Sequence, residues 1–220
     1  MPNLTLIIPA KNEAESLPSV LNELKNFDFN KTIILETSDK STIESIQNFD
    51  CEILYQNEKG YGNALIQGIN NVKTEYLCIF NADGSFDPKY LSEMLKLCKN
   101  KDLVFASRYL KKAGSDDDTI LTKIGNYIFS FLGNIFFSLK LSDILYTYVL
   151  GKTDSFKKLD LKSNDFCFCV EMPIKAKRLE MDIVDTPSYE RRRIAGEKKV
   201  NEFKDGFKIL LFMIKSFFKI

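Results

Sequence analysis

The sequence predicts an α/β fold: a mostly parallel open sheet with helices on both faces, then a helical region and an amphipathic C-terminal helix. Two observations carry this. From residue 4 to residue 106, short apolar runs of strand length alternate with stretches whose apolar residues recur at helical spacing. Polar residues also gather just after the apolar runs, at 11–13, 36–39, 59–63 and 81–85, where the carboxyl ends of parallel strands open a crevice.

The elements follow in order. Leu4-Thr5-Leu6-Ile7-Ile8 is a buried strand stopped by Pro9, which cannot donate to a ladder. Residues 13–26 place Leu17, Val20, Leu21 and Leu24 on one helical face. Thr32-Ile33-Ile34-Leu35 is a second strand, and 41–48 a helix with Ile43 and Ile46 inward. Glu52-Ile53-Leu54-Tyr55 is a third strand, and 62–72 a helix with Leu65, Ile66 and Ile69 aligned. A fourth strand spans 76–80. The helix at 88–97 takes Pro88 in its first turn, where a missing N–H costs nothing, and Leu103-Val104-Phe105-Ala106 is a fifth strand.

Beyond Leu110 the character changes. Residues 111–118, with Asp116-Asp117-Asp118, are a polar loop, either a lid over the crevice or a solvated connector. Residues 124–141 are a helix apolar around most of its circumference, with Asn126, Ser130, Asn134 and Ser138 every four positions on one narrow stripe. Its five polar residues and two glycines argue against a lone membrane span. In 203–220, Lys204, Lys208, Lys215 and Lys219 fall within roughly 60° of one another on a helix. Leu210, Leu211, Ile214, Phe217 and Phe218 take the other side. Such a helix either lies on a membrane surface or packs on the domain with its lysines snorkelling outward.

Composition narrows the chemistry. At 220 residues and 45% hydrophobic, the chain can bury a sizeable core as one large domain with an appendage. A net charge of +1 supplies no field for nucleic acid. The absence of histidine removes Ser-His-Asp and Cys-His mechanisms and every histidine-ligated metal site. Five scattered cysteines without a C-x-x-C make no disulfide framework, and no apolar leader opens the sequence. A cytoplasmic protein with reduced thiols is expected.

The most informative stretch is Asn81-Ala82-Asp83-Gly84-Ser85, at the end of the fourth strand. An acid-x-acid step there is a standard way to hang a magnesium- or manganese-type ion, which wants hard oxygen ligands shared with a phosphate. Here Asn81 replaces the first acid and keeps an oxygen without the charge. Gly60 and Gly62 permit a tight turn before a helix N-terminus, which favours anions.

Together, Ile7 to Glu13, Glu36-Thr37-Ser38-Asp39, Lys59 to Leu65, Asn81-Ala82-Asp83, Ser107-Arg108-Tyr109 and the stretch 189–199 resemble family 2 glycosyltransferases of the GT-A fold. The last two look most like the branch that makes polyprenyl-phosphate sugars, the dolichyl-phosphate mannose synthase type. The resemblance covers about residues 4 to 200. It implies a GT-A domain over 1–200, with a nucleotide-sugar half at 1–110 and an acceptor half at 111–200, and an amphipathic helix at 201–220.

The implied activity is inverting transfer from a UDP- or GDP-sugar, assisted by Mg2+ or Mn2+, to a polyprenyl phosphate at the cytoplasmic membrane face. Pro9, Glu13 and Glu36 would meet base and ribose, with Gly62, Asn81 and Lys199 completing the nucleotide-sugar site. Asp83 would hold the metal, with Ser85 as a further ligand. Arg108 and Arg193 would clamp anions, as Arg suits phosphate, whereas Arg191 and Arg192 read as solvated or lipid-facing surface. Asp143 matches another family acid. Two alternatives stay open: a glycan or small-molecule hydroxyl acceptor with Glu171 as general base, and a non-catalytic sugar-nucleotide-binding or membrane-docking protein of the same fold.

Overall fold

The computed structural model describes residues 3–196 and 198–218. Glu197 of the 189–199 stretch and Lys219 of the lysine stripe lie outside these residues. The expected alternation is present: β1 (Leu4–Pro9), α1 (Leu17–Glu23), β2 (Asn30–Leu35), α2 (Lys40–Ser45), β3 (Glu52–Tyr55), α3 (Tyr61–Asn71), β4 (Tyr76–Ile79), α4 (Leu91–Cys98) and β5 (Leu103–Ser107). The first helix starts later than its periodicity suggests. Asn12 adopts φ 54°, and Ser16 and a proline in the first turn set the start at Leu17.

The sheet has seven strands in the order β3-β2-β1-β4-β7-β5-β8, where β7 is Val149–Lys152 and β8 is Ile183–Pro187. β7 runs antiparallel between β4 and β5; the other pairings in this sheet are parallel. Alternation along each buried strand feeds two cores. Leu4, Leu6 and Ile8 of β1 pack with α1 and α4 on one face. Ile7 packs on the other with α3, α6 (Thr153–Lys158) and α7 (Phe168–Arg178). A small parallel pair joins β6 (Gly114–Ser115) to β9 (Tyr189–Glu190). The segment 111–118 is therefore pinned to β9 through Gly114 and Ser115, with Lys111, Lys112 and Asp116 exposed to solvent.

α5 (Ile120–Phe137) is built inside out. Its Asn126 and Ser130 are buried against the domain, bonding the Tyr109 hydroxyl and the Ile144 amide, and the exposed Asn134 bonds the Leu141 backbone. Its apolar side faces outward, with Tyr127 72% and Ile135 57% exposed. α8 (Glu202–Phe218) lies against it, the Phe217 ring 5.2 Å from that of Phe136. α8 buries Ile209 and Met213 but exposes Phe203, Phe207, Ile214 and Phe218. By length and a mean hydropathy of 1.2, α5 could cross a bilayer. Its polar stripe instead fixes it to the domain as a wall with an apolar outer face.

Candidate functional site

The crevice is assembled from strand ends. After β1, the turn Lys11-Asn12-Glu13 is held by the turn after β2: Asn12 N–H donates to Asp39 Oδ2 at 2.7 Å and Glu13 N–H to Thr42 Oγ1 at 3.0 Å. Asp39 also caps α2. Burial alone would raise its carboxyl, but these hydrogen bonds hold it below the ordinary value. Glu13 is buried, accepts from Ser16 Oγ at 2.6 Å and lies 3.7 Å from Lys199 Nζ. Burial pushes its pKa up despite both partners. Glu36 pairs with Lys11 at 3.3 Å across the mouth.

β4 ends in the 81–85 turn, where Gly84 takes φ 82°. Asp83 Oδ1 accepts from the Ser85 amide at 3.0 Å and the Ser85 hydroxyl at 2.7 Å, which leaves Oδ2 turned to the crevice. Asn81 donates its amide N–H to Ser85 Oγ at 3.3 Å, so its carbonyl oxygen is the end left for a ligand. Ser85 is thus a buried brace behind Asp83; it does not line the crevice as a metal ligand. The segment after β9 runs along this turn, with Arg191 N–H donating to the Ser85 carbonyl and Ile194 N–H to the Asp83 carbonyl. That pairing puts Arg193 Nη1 3.7 Å from Asp83 Oδ2. Arg191 turns inward instead of toward solvent: it forks onto Glu23 and bonds the carbonyls of Gly84 and Phe86. Arg192 is exposed.

Arg108 is the hub of a buried cluster. Its Nε and Nη2 donate to Asp143 at 2.7 and 3.1 Å, and Nη1 reaches Asp118 and Glu190, each at 3.2 Å. The Tyr146 ring lies 4.5 Å from its guanidinium carbon. Burial opposes its charge, but Asp143 and Glu190 outweigh that and hold its pKa well above the ordinary value. At most one N–H is left for a ligand, so here Arg108 is a braced wall group and not a free anion clamp. Asp143 matters as its partner.

The crevice bounded by these groups has a volume of about 800 Å³, within the usual range for ligand sites. Pro9, Glu13, Glu36, Asn81, Asp83, Arg108, Arg193 and Lys199 all line it. Besides Ser85, two expected residues do not. A side chain at Gly62 would strike the Ser163 carbonyl at 2.1 Å, so Gly62 admits the 163–165 backbone and offers no ligand contact. Glu171 is buried under that same segment: it accepts from the Lys162 and Ser163 amides and pairs with Lys175 at 2.8 Å. Those bonds hold its carboxyl below the ordinary value despite burial. Glu171→Gln is expected to cost about 1–3 kcal/mol of stability while leaving the pH profile of any transfer unchanged. A lost basic limb in kcat against pH would restore it as a base.

Sequence reasoning missed half the wall. Asp117, Asp118 and Glu190 enter from the far side, although the run of three acids was visible. Between α5 and α8 the crevice turns apolar, lined by Leu121, Phe129, Phe203, Phe207, Ile209 and Leu210. Its signal was the pair of apolar helices, whose spacing did not say that they would meet. One end of the cavity is therefore ionic and the other apolar.

The residues present suit one type of divalent site. Among the described residues no cluster of three acids or cysteines forms an all-protein cage. Five basic and seven acidic described side chains line the crevice, so side chains alone leave it net acidic and unable to neutralise a bound polyphosphate. One free carboxylate oxygen on Asp83 and the Asn81 oxygen fit a Mg2+-type ion whose other ligands come from substrate phosphate and water.

Comparison with known proteins agrees with this architecture. The family model "Glycosyl transferase family 2" matches residues 5–160. The undecaprenyl-phosphate mannosyltransferase of Micrococcus luteus is 28% identical over 89% of this chain and 86% of its own length. The low-salt glycan biosynthesis hexosyltransferase Agl6 of Haloferax volcanii is 23% identical over 97% of this chain, which spans 53% of that protein. Glucosyl-3-phosphoglycerate synthase from Mycobacterium tuberculosis was solved with Mn2+, UDP and glucosyl-3-phosphoglycerate. It superposes with a TM-score of 0.76 at 12% identity, covering 98% of this chain and 80% of that one. The fold is GT-A.

Proposed function

The chain belongs to glycosyl transferase family 2 and is a glycosyltransferase, and we propose that it moves a sugar, with inversion, from a nucleoside diphosphate sugar to a polyprenyl phosphate at a membrane surface. The observation that carries this reading is the two-ended cavity. Its ionic end suits a nucleotide diphosphate, and its apolar end opens between α5 and α8 beside their exposed apolar faces. A lipid phosphate needs such a site: a dry groove for the chain leading to a charged centre. The similarity to an undecaprenyl-phosphate mannosyltransferase supports the same acceptor class.

The residues divide the work by position. Pro9, Glu13 and Glu36 form the end that takes base and ribose, and Lys199 beside Glu13 faces the diphosphate. Asp83 and Asn81 would hold a divalent cation, which when bound supplies Lewis-acid neutralisation of the departing diphosphate. Arg193 reaches the same diphosphate from the opposite wall. Arg108 offsets part of the charge of Asp118, Asp143 and Glu190 and fixes their positions. In the transfer, an acceptor phosphate oxygen forms a bond to the anomeric carbon from the face opposite the diphosphate. The anomeric C–O bond to the diphosphate breaks, and its electron pair leaves with the nucleoside diphosphate. A phosphate is already ionised, so no general base is required; orientation and charge neutralisation carry the reaction. Glu171, the base that a hydroxyl acceptor would need, is outside the crevice.

The outer faces of α5 and α8 would seat the enzyme peripherally on lipid, with Lys123, Lys204 and Lys215 exposed for anionic headgroups. The cysteines are unpaired, as a reducing cytoplasmic compartment leaves them. The test is transfer from UDP- and GDP-sugars to undecaprenyl phosphate and to a short, water-soluble prenyl phosphate, with vesicle co-sedimentation alongside. Phe203→Glu with Phe207→Glu is expected to lower vesicle binding and long-chain transfer at least about tenfold, since each buried Phe is worth roughly 1.5–3 kcal/mol. Transfer to the soluble acceptor, whose short chain meets less of this lining, should fall less. Equal loss on both acceptors, or no turnover with either lipid phosphate, would sink the reading.

A further inference from the structure

Each residue of the run Asp116-Asp117-Asp118 is tied to a neighbouring segment, and Asp117 and Asp118 line the crevice. Asp116 accepts from the Tyr189 hydroxyl at 2.6 Å, and Asp118 from the Tyr109 hydroxyl at 2.6 Å. Asp117 takes the cations. Its carboxylate accepts from Arg193 Nη2 at 2.8 Å and Nε at 3.3 Å, and its carbonyl accepts from Lys198 Nζ at 2.9 Å. Burial alone would raise the Asp117 carboxyl, but the Arg193 bond and the two positive charges outweigh it and hold it below the ordinary value.

A carboxylate that takes two N–H groups from one guanidinium fork uses the geometry with which that fork takes two phosphate oxygens. Arg193 also reaches toward Asp83, its Nη1 being 3.7 Å from Oδ2. A phosphate at Asp83 would compete with Asp117 for the same donors. We propose that Asp117 is the resting counter-ion of the donor-phosphate clamp, holding Arg193 and Lys198 until the diphosphate takes them over. This rests on the reading above that the donor's diphosphate lies beside Asp83.

The exchange would have two consequences. In the donor-free enzyme, Arg193 stays folded into the wall with its charge matched, so entry of a diphosphate costs the broken Asp117 pair. After transfer, Asp117 recaptures the cations and loosens the nucleoside diphosphate product. It is a positioning residue, and its removal should tighten product binding, which the loss of an ordinary structural contact would not do.

Calorimetry with UDP and with GDP, each with Mn2+, tests this on the parent, Asp117→Asn, Arg193→Ala and the double variant. Asp117→Asn is expected to bind the better nucleotide about fivefold more tightly, and Arg193→Ala about tenfold more weakly. In the double variant the gain from Asp117→Asn should shrink, because the exchanged partner is gone. Affinity unchanged or weakened in Asp117→Asn, with Arg193→Ala still weak, would overturn the exchange alone. Unchanged affinity in Arg193→Ala, or no binding of either nucleotide by the parent, would overturn the donor reading beneath it. Hydrogen exchange on the parent needs no variant to fold. The Asp117 and Asp118 amides, bonded to Ser115 Oγ, should exchange faster once nucleotide is bound; greater protection would count against the proposal.

Discussion

Asp83→Asn is expected to lower transfer by about 10²–10³-fold, the loss typical of removing one electrostatic stabiliser of a developing charge. The substitution keeps the shape of the side chain. Its one remaining oxygen can still accept from Ser85, which puts an NH2 group in place of the crevice-facing carboxylate oxygen. Asn81→Asp should act in the opposite direction. Its side chain sits in the same turn, the amide nitrogen donating to Ser85 Oγ, and a second carboxylate should lower the Mn2+ or Mg2+ concentration needed for half-maximal rate. Metal titration of the parent and both variants after chelation would read this. Identical cation dependence in all three would reduce 81–85 to a structural turn.

Arg108→Met is expected to destabilise the fold by about 3–5 kcal/mol, the cost of leaving buried charges without their partner. Three carboxylates depend on this one guanidinium: Asp143, wholly buried, and Asp118 and Glu190, nearly so. Glu190 already titrates above the ordinary carboxyl value, chiefly through burial, with Arg108 pulling the other way. Removing that pull leaves protonation as the cheap remedy, so the variant should regain stability as pH falls toward the carboxyl range. For a raised carboxyl, stability is lost as pH rises through its folded pKa. Urea denaturation at neutral and mildly acidic pH measures both effects. A loss under 1 kcal/mol would mean that the cluster is not a stability hub and would return Arg108 to the role of a ligand clamp.

The first five strands were legible because each is a local apolar run, buried in β1, β2, β4 and β5 and half-buried in the edge strand β3. β7 was not: Gly151 interrupts it, and the space it leaves is decided by Leu103 and Asp102, close neighbours only in the folded chain. The period of α5 was legible as well, but periodicity carries no sign. Only the Tyr109 hydroxyl and the backbone of 141–144 made the Asn-Ser stripe the inward face.

Glu171 was a reasonable candidate base by residue type, and the 162–163 amides turned it into a brace. The sequence by itself determined what depends on neighbours a few residues apart: the first five strands, the helices between them, the periods of α5 and α8, the 81–85 turn and the family. Tertiary structure alone decided which charges meet. Arg193 found Asp117 across 76 positions and Arg108 found Glu190 across 82. Many acids and bases of similar intrinsic affinity share the chain, so their pairing is chosen by the packing that brings distant segments together.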